Sequence, residues 1–332
     1  MTLDTALGGG VVEGRIVESF GNESSGKSTL AAMVGKNLIG PNEFGLYCDY
    51  EHSFDPVYTA KITGMEVVHI GEMDDWVNAA KHRKGTPPCF LWCQPMHLEE
   101  GTDLAIEFSH LLGPKLRFIV NDSLAAMIPK QILEGAAGDV TIGLQARLLG
   151  TFYSKASKIL GKRKTTLWVV NQIRMKIGMG YGQMTGEESA GGKATRFYAS
   201  QRLKMTSGES HSWKSSLPHG SHTSYVKVEK NKTSPHRKGK TMLVVRPGFG
   251  LCAEVELLEL CIQHGVLKGA GPGHFQFNGK SFNKSELLAM LTLHERKGEV
   301  FQMFKDALFK AVPDGQFAFE DPKAGAVAVD LA

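Results

Sequence analysis

The chain has 332 residues, of which 42% are hydrophobic and 22% are charged, as in an ordinary folded globular protein. This length allows one large α/β domain and a smaller one. There is no signal-peptide pattern and no apolar run near the ~20 residues of a membrane-spanning helix, which argues against a membrane protein. Five cysteines form no disulfide-framework spacing, so we expect reduced thiols and a cytoplasmic location.

The net charge of +4 conceals an uneven distribution of charge along the chain. Residues 151–250 contain 19 Lys and Arg against four acids, a balance of +15, whereas the remainder contains 19 Lys and Arg against 30 acids, a balance of −11. A basic third beside an acidic remainder suggests a polyanionic partner. A solvated basic face would show the same composition, so charge alone leaves both interpretations open.

Predicted strands and helices alternate through the first part of the chain. Short apolar runs predict buried strands, and apolar residues at helical spacing predict helices. The strands are predicted at 14–20, 43–50, 89–95 and 116–122, and the helices at 26–39 and 99–112. This alternation predicts a mostly parallel sheet covered by helices on both faces.

The second part of the chain begins with a long predicted helix at 141–160 and a strand at 165–172. About twenty residues follow that are rich in Gly and Met and show no steady period. We expect a functional loop here, because long loops without secondary structure are uncommon inside compact domains. From about 195 to 245, shorter strands predict antiparallel pairing at the edge of the sheet.

The domain organisation follows from a change of pattern near residue 250. We expect residues 1–250 to form the main domain and residues 251–316 a small, separate α/β domain. Residues 317–332 have little to bury, so a flexible tail is expected there.

One motif carries a specific chemical prediction. The sequence GNESSGKST fits G-x-x-x-x-G-K-[ST] and stands between a predicted strand and a predicted helix, the context that this phosphate-binding loop requires. Its glycines let successive backbone N–H groups point at phosphate oxygens, and the helix N-terminus adds positive charge. The predicted ATP contacts in the loop are Gly21, Glu23, Ser24, Ser25, Gly26, Lys27, Ser28 and Thr29. Lys27 is expected to reach the β- and γ-phosphates, and Ser28 to ligate Mg²⁺.

A site that hydrolyses ATP also needs a metal-side carboxylate and a group that activates water. Asp122 ends a predicted strand and would lie beside the phosphate loop, at the carboxyl edge of the sheet. Glu51 follows another strand and is a candidate general base, with Asp49 as its rival. Spacing alone does not choose between Glu51 and Asp49.

Seven segments together resemble the RecA family of bacterial and phage recombinases, in the family's order and at nearly its spacing. They are GRIVESFGNESSGKSTL, YCDYEHSFDPVYTAK, WCQP, NDSLAAMIPK, NQIRMKIG, GGKATRFYAS and VKVEKNK, and the resemblance covers about residues 2–312. It implies an α/β fold, with a P-loop core around a mostly parallel central sheet and a small C-terminal α/β domain. It also implies a DNA-dependent ATPase and recombinase, which forms a helical filament on single-stranded DNA and exchanges strands with homologous double-stranded DNA.

The resemblance assigns roles at the ATP site. It places Glu51 on the family's catalytic glutamate, Asp122 on its metal-side aspartate and Gln172 on the glutamine that senses the γ-phosphate. Asp55 and Tyr58 fall on the adenine contacts. The positions that match lysines reaching a neighbouring subunit's nucleotide are Lys230 and Lys232.

In the family, two segments line the filament axis and hold single-stranded DNA, and they correspond to residues of about 134–147 and 173–192 here. The predicted DNA contacts are Ile142, Arg147, Arg174, Met175, Lys176, Ile177, Gly191, Gly192 and Lys193. The four cations suit phosphates, the paired glycines allow close backbone approach, and the two isoleucines fall where the family places apolar wedges between base steps. Because Gln172 stands at the root of the second segment, we expect ATP and DNA binding to be coupled.

The chain also departs from the family pattern. The loop from Gly178 to Gly191 is two residues longer than in the best-known members, and Arg246 stands about where they carry a second adenine-side tyrosine. The acidic C-terminal tail is missing. The phosphate loop begins at Gly21, which leaves little room for the family's N-terminal helix and strand. We therefore expect polymerisation through other surfaces, or a chain whose start has been lost.

Two other functions would use the same core. A ring helicase or translocase is disfavoured by the small C-terminal domain and the NQIRMKIG segment, and electron microscopy separates rings from open filaments. A non-catalytic DNA-binding regulator is disfavoured by the presence of Lys27, Glu51 and Asp122. A DNA-stimulated ATPase assay would decide that alternative.

Overall fold

The computed structural model describes residues 2–71, 87–135, 143–177, 184–189, 192–208, 216–217, 219–234, 239–292 and 297–312. These residues form a large central sheet with helices on both of its faces, and a small three-stranded antiparallel sheet. The search for membrane-spanning segments in these ranges found no helix of sufficient length and apolarity.

The central sheet is parallel over most of its width and antiparallel at one edge. Its strands are β1 (Ile16–Gly21), β2 (Phe44–Asp49), β3 (Glu66–His69), β4 (Cys89–Cys93), β5 (Leu116–Asp122), β6 (Thr166–Ile177), β7 (Met184–Ser189), β8 (Gln201–Gly208), β9 (His222–Asn231), β10 (Lys240–Arg246) and β11 (Gly250–Leu251). They are ordered β11-β10-β9-β8-β1-β6-β5-β2-β4-β3, and β7 pairs only with β6. Strands from β8 to β3 pair in parallel, whereas β8, β9, β10 and β11 pair antiparallel. Both the predicted α/β fold and the predicted antiparallel edge are confirmed.

Two layers of helices bury the faces of the sheet. The helices are α1 (Thr2–Ala6), α2 (Lys27–Leu38), α3 (Pro56–Thr63), α4 (Leu98–Leu112), α5 (Lys130–Glu134), α6 (Leu144–Arg163) and α7 (Gly192–Tyr198). One cluster of buried residues joins Phe108 of α4 and Tyr153 of α6 to Ile119 of β5. The other joins Leu30 of α2 to Val120 on the opposite face of the same strand. Because both faces of β5 are covered, its sequence is almost continuously apolar.

Parallel pairing brings the ends of four strands to one edge of the sheet. Gly21 at the end of β1 is level with Gln172 on β6, and Asp49 at the end of β2 is level with Asp122 on β5. Ligands of open α/β sheets bind at this carboxyl edge. The topology therefore assembles the predicted nucleotide site.

The segment that follows β6 differs from the prediction. We expected a loop without secondary structure from residue 173, but β6 continues to Ile177 and pairs antiparallel with β7, with Ile173 opposite Ser189 and Ile177 opposite Met184. The prediction of a structureless segment is wrong for these residues. Backbone pairing needs no regular alternation of side chains, so the irregular composition concealed a hairpin.

The C-terminal part contains α8 (Ala253–Gln263), β12 (Lys268–Gly271), β13 (His274–Phe277), β14 (Lys280–Asn283), α9 (Lys284–Thr292) and α10 (Lys297–Ala311). These elements share a third buried cluster, in which the rings of Phe277 and Phe304 stack with centroids 4.5 Å apart. Met242 and Val244 of β10 belong to the same cluster. The predicted small α/β unit is present, while its boundary as an independent domain stays a prediction.

Candidate functional site

The phosphate-loop motif lies between the end of β1 and the start of α2, as predicted. Its last glycine, Gly26, caps α2 with a φ of 79°, a conformation that favours glycine. Gly21 has no room for a side chain, because a Cβ there would lie 1.8 Å from the carbonyl oxygen of Met205. The loop is therefore a tight turn that leads into a helix N-terminus, an arrangement suited to anion binding.

Two serine hydroxyls hold the loop from inside. Ser25 is fully buried, and its Oγ donates to the carbonyl oxygen of Asn22 at 2.8 Å. Ser224 on β9 donates from its Oγ to the carbonyl oxygen of Ser25 at 2.7 Å. In contrast, Glu23 and Ser24 are exposed at the tip of the turn.

Lys27 is buried among the carbonyl groups of its own loop. Its Nζ donates to the carbonyl oxygens of Asn22 at 2.5 Å and Gly21 at 3.2 Å. Burial lowers the pKa of Lys27, and the nearby carboxylates, Asp122 first, oppose that shift. The Nζ of Lys27 also donates to Ser25 Oγ at 3.4 Å. An ammonium group held by neutral oxygens of its own loop can exchange these contacts for phosphate oxygens, which is the role predicted for it.

Asp122 lies at the centre of the site and is only 4% exposed. Its Oδ2 accepts hydrogen bonds from Ser28 Oγ at 2.6 Å and from the Tyr47 hydroxyl at 2.5 Å. Burial raises the pKa of Asp122, and the bonds from Ser28 and Tyr47 act in the opposite direction. Tyr47 was not among the predicted site residues. The only signal for it was a hydroxyl-bearing residue inside the buried run FGLYCD.

The oxygens of Ser28 and Asp122 fit the ligand chemistry of Mg²⁺. Within the described ranges, no group of three or more His, Cys, Asp and Glu residues is arranged to hold a metal ion. Mg²⁺ commonly needs no such cage, because it keeps several waters and is held by one or two carboxylates together with substrate phosphates. A hydroxyl and a carboxylate beside a phosphate loop match that mode of binding.

The structure separates the two rival carboxylates. Asp49 is fully buried and accepts hydrogen bonds from the backbone N–H groups of Ser53 at 3.2 Å and Phe54 at 3.0 Å, and from Gln94 Nε2 at 3.1 Å. By accepting these three hydrogen bonds, Asp49 stabilises the turn after β2. Of these two rivals, Glu51 is the one whose carboxylate does not hold the turn, and its role as general base stays a prediction.

Glu51 is exposed at the carboxyl edge of the sheet. Its Oε1 accepts hydrogen bonds from Ser123 Oγ and from Gln172 Nε2, the latter at 2.7 Å. The structure thus brings together two residues that are 121 positions apart in sequence and were assigned to water activation and γ-phosphate sensing.

A cavity extends from Ser28 and Asp122 towards α3, and the predicted adenine contacts Asp55 and Tyr58 both line it. Asp55 also caps α3, since its Oδ1 accepts from the backbone N–H of Tyr58 at 2.8 Å. Thr29, the last predicted residue of the phosphate loop, lines the same cavity. One continuous cavity therefore joins the phosphate side to the predicted adenine side.

Arg246 is the last residue of β10 and pairs with Gly250 of β11. Its guanidinium carbon lies 4.3 Å from the ring centroid of Phe249, and Phe249 is 59% exposed. The Nε of Arg246 is buried without a hydrogen-bond partner among the described residues. Whether Arg246 contacts the base stays a prediction.

Lys230 and Lys232 lie far from this cavity in the same chain. Ser224 of β9 contacts the phosphate loop, and Lys230 stands six residues farther along the strand, roughly 20 Å away at ~3.4 Å per residue. There the Nζ of Lys230 donates to the carbonyl oxygens of Arg196 and Phe197. Burial first, and then the neighbouring cation Lys232, lower the pKa of Lys230 to about 8.

The predicted DNA residues lie partly within the described ranges. Arg147 and Lys193 are exposed in the first turns of α6 and α7, and these helices touch through a 3.2 Å hydrogen bond from Thr195 Oγ1 to the Tyr153 hydroxyl. Five more of the predicted DNA-binding residues can be placed by their backbone. Four lie on β6, namely Arg174, Met175, Lys176 and Ile177, and Gly192 is the first residue of α7. Ile142 and Gly191 lie outside the described residues. The two predicted DNA segments thus lead into neighbouring helices.

Comparison with known proteins agrees with this arrangement. A family model described as the RecA N-terminal domain matches residues 1–74 and 91–249. A RecA protein of Borrelia duttonii (strain Ly) is 36% identical over 270 residues, which cover 81% of this chain and 67% of that protein. A RecA protein of Staphylococcus aureus (strain JH9) is 30% identical over 328 residues, which cover 98% of this chain and 86% of that protein. The matched ranges of the family model include every predicted ATP-site residue.

Proposed function

The chain belongs to the RecA family, and on that premise we propose that it is an ATP-dependent DNA recombinase of the cytoplasm. It assembles as a helical filament on single-stranded DNA, hydrolyses ATP when DNA is bound, and exchanges strands with homologous double-stranded DNA. The observation that carries this proposal is the 2.7 Å contact between Gln172 and Glu51. This contact lies where β6 leaves the predicted ATP site and enters the predicted DNA-binding hairpin.

ATP occupies the cavity between the phosphate loop and α3. Lys27 and the backbone N–H groups of residues 21–26 hold the phosphates, while Asp55 and Tyr58 line the adenine end. Ser28 and Asp122 would hold Mg²⁺, which would supply positive charge beside the phosphates. Glu51 orients the attacking water and accepts its proton, because its exposed carboxylate lies 2.7 Å from the Gln172 amide at this edge.

Gln172 couples the nucleotide to the hairpin. Its side-chain amide donates to Glu51, and a γ-phosphate would compete with Glu51 for the same donor. The next residue, Ile173, pairs with Ser189 of β7, so a change at Gln172 acts on the root of the hairpin. Arg174, Lys176 and the following residues of the hairpin then hold DNA while ATP is bound and release it after hydrolysis.

The positions of Lys230 and Lys232 support assembly into a filament. They lie near the amino edge of the sheet, because Lys230 pairs with Arg202 at the start of β8, whereas the phosphate loop lies at the carboxyl edge. In one chain they cannot reach the nucleotide. They contact the nucleotide of the adjacent protomer when protomers stack head to tail, and such heterologous contacts generate open helical assemblies.

Exposed apolar side chains support the same arrangement. Met96, Ile132 and Leu133 are 65%, 39% and 45% exposed and follow the carboxyl ends of β4 and β5. Phe197 is 69% exposed and lies beside Lys230 at the amino edge. Apolar patches at opposite edges of the sheet suit a contact between the head of one protomer and the tail of the next.

A row of lysines supports double-stranded DNA as a second partner. Lys227 on β9 is directly opposite Lys204 on β8 and Lys240 on β10, and the three line one cavity with Tyr225. Like charges directly opposite each other in a sheet are unfavourable. Glu229 offsets part of that repulsion, since it pairs with Lys227 at 2.7 Å. A bound polyanion would offset the rest, so we assign this row to the phosphates of duplex DNA.

Strand exchange between a single strand and a homologous duplex, with ATP present, tests the proposal. The protein is expected to form joint molecules, and Lys27→Ala, which removes the phosphate-binding ammonium, is expected to form none. A protein that binds single-stranded DNA with ATP but never pairs it with a homologous duplex would contradict the recombinase function.

A further inference from the structure

A tyrosine hydroxyl lies directly against the metal-side aspartate. Tyr47 on β2 is 2% exposed, and its hydroxyl donates to Asp122 Oδ2 at 2.5 Å. Ser28 Oγ donates to the same oxygen at 2.6 Å. Two hydroxyl groups from different elements therefore meet on one carboxylate oxygen, and only that of Ser28 belongs to the phosphate-loop motif.

The ring of Tyr47 is held on more than one side. Its centroid lies 4.3 Å from that of Phe54, whose ring in turn lies 5.3 Å from the ring of Trp92. The backbone of Tyr47 pairs with Val120, two residues before Asp122 on the adjacent strand. Because the ring and the strand are both fixed, the hydroxyl reaches Asp122 from a fixed direction.

We propose that Tyr47 is a positioning residue for Mg²⁺ binding, an inference that rests on the proposed ATP site. By donating to Oδ2, Tyr47 restrains the rotation of the Asp122 carboxylate. The restrained carboxylate keeps its contact with the proton of the Ser28 hydroxyl, and the oxygen lone pairs of Ser28 stay available for the metal. Tyr47 lines the same cavity as Ser28 and Asp122, and we assign its effect to the bond with Asp122 rather than to a direct contact with the metal.

Partners that orient a metal ligand typically change metal affinity by about 10- to 100-fold when they are removed. A tyrosine that merely satisfies a buried carboxylate would change stability and leave metal affinity unaltered. Metal affinity and stability therefore distinguish the two roles.

The chain provides a matched control in Tyr50. Tyr50 is also buried, at 6% exposure, and its hydroxyl has no hydrogen-bond partner among the described residues. Tyr50→Phe and Tyr47→Phe each remove one buried phenolic oxygen and keep the ring. Only Tyr47→Phe removes a bond to Asp122.

The experiment measures Mn²⁺ binding by electron paramagnetic resonance, with a non-hydrolysable ATP analogue bound to the full chain. Tyr47→Phe is expected to weaken Mn²⁺ binding by about 10-fold or more. Tyr50→Phe is expected to match the original protein. Affinity for the analogue without metal is expected to be the same in all three proteins, because Tyr47 does not hold the phosphates.

Equal Mn²⁺ affinity in the Tyr47→Phe variant and the original protein would overturn the inference. Equal weakening by Tyr47→Phe and Tyr50→Phe, or loss of metal-free analogue binding by Tyr47→Phe, would also overturn it, since either would indicate a general packing effect. If the original protein itself failed to bind the analogue with Mn²⁺, the proposed ATP site would be contradicted, and the inference with it.

Discussion

Asp49 and Glu51 are two acids separated by one residue, and their neighbours give them different tasks. Three donors from the turn and from Gln94 converge on the buried Asp49, so removing its carboxylate leaves those donors unsatisfied. Glu51 is exposed and meets Gln172 and Ser123 at the edge of the site. Stability is therefore expected to depend on Asp49 and hydrolysis on Glu51.

Substituting Asp49 and Glu51 one at a time tests whether one supports stability and the other supports hydrolysis. Asp49→Ala is expected to lower the free energy of unfolding by about 2 to 3 kcal/mol, because it removes a buried carboxylate and leaves three part-buried donors without their acceptor. Glu51→Gln is expected to leave unfolding unchanged and to slow ATP hydrolysis by about 100-fold or more, since it removes the general base. Urea unfolding and single-turnover hydrolysis measure the two effects. Normal hydrolysis by Glu51→Gln would contradict the assignment.

The sequence predicted some residues of the site better than others. Lys27, Ser28 and Asp122 were predicted because a phosphate loop and a strand end fix where side chains must stand relative to phosphate. Glu51 and Asp49 could not be separated by spacing, because the deciding donors come from Gln94 and Gln172, which are distant in sequence. Tyr47 was missed because a tyrosine inside an apolar strand usually indicates only core packing.

At the scale of elements, β6 is the strand that connects the two predicted sites. Its residues Val169 and Val170 are buried in the sheet, Gln172 meets Glu51, and Ile173 begins the pairing with β7. A strand that passes through the predicted ATP site at Gln172 and ends in the hairpin can transmit a change at Gln172 to the hairpin.

Gln172→Ala is expected to separate ATP hydrolysis from DNA binding. ATP affinity should change little, because the phosphate loop is intact, while stimulation of hydrolysis by single-stranded DNA should be lost. Gln302→Ala serves as a matched control, because Gln302 is an exposed glutamine on α10 that pairs only locally with Asp306. ATPase rates with and without DNA measure the effect. Full stimulation in Gln172→Ala would refute the coupling.

The centre of the sheet is joined by a buried charge cluster on three strands. Glu18 of β1 is fully buried, accepts from Asn171 Nδ2 of β6 at 2.8 Å and forms an ion pair with Arg202 of β8. Removing Arg202 would leave the Glu18 carboxylate buried without its cation, and such losses cost about 3 to 5 kcal/mol. This cluster links the strand of Gln172 to the strand beside Lys230.

Arg202→Met is accordingly expected to lower the free energy of unfolding by about 3 to 5 kcal/mol. Lys227→Met provides the comparison, because Lys227 pairs at 2.7 Å with Glu229 while its own side chain is 51% exposed. An exposed pair of this kind contributes about 0 to 1 kcal/mol. Urea unfolding of both variants measures the difference, and similar losses in the two would contradict a special role for the buried cluster.

Prediction of elements succeeded where periodicity or burial was strong. The strand predicted at 116–122 matches β5 residue for residue, because both faces of it are buried. The four-residue edge strand β3 was not predicted, since its residues are at most half-buried and carry little pattern. The β6–β7 hairpin was missed because its pairing is between backbones and its composition is that of a loop.

At the scale of the whole molecule, the two edges of the sheet have complementary roles. The carboxyl edge holds the proposed ATP cavity, and the amino edge carries Lys230, Lys232 and the exposed ring of Phe197. A filament places these edges together, so the proposed assembly completes a site that one chain leaves incomplete. The contact between protomers was predicted only from the family resemblance, because the residue pattern of one chain does not show which surfaces meet in an assembly.

The pKa of Lys230, lowered to about 8 mainly by burial, predicts how assembly depends on pH. Contact with a neighbour's phosphate requires the protonated amine, so ATP-dependent assembly should weaken above pH ~8, approaching tenfold per pH unit. The titration of Lys230 does not itself destabilise the folded chain over this range. Lys230 loses its proton at a lower pH in the folded chain than in the unfolded chain. Its contribution to stability therefore rises with pH from ~8 up to the pKa that Lys230 has in the unfolded chain.

Light scattering of ATP-dependent assembly between pH 7 and pH 9.5 measures this effect. Lys230→Arg keeps its charge throughout that range, so its assembly should vary less with pH than that of the original protein. The same decline with pH in both proteins would show that another group titrates.

Binding of ATP is proposed to order the predicted DNA-binding segments so that they bind single-stranded DNA. Fluorescence anisotropy of a labelled single-stranded oligonucleotide, with and without a non-hydrolysable ATP analogue, tests it most directly. We expect the analogue to induce tight, cooperative and salt-sensitive binding, and Lys27→Ala to abolish the effect of the analogue. An oligonucleotide that stays unbound whether or not the analogue is present would contradict the account.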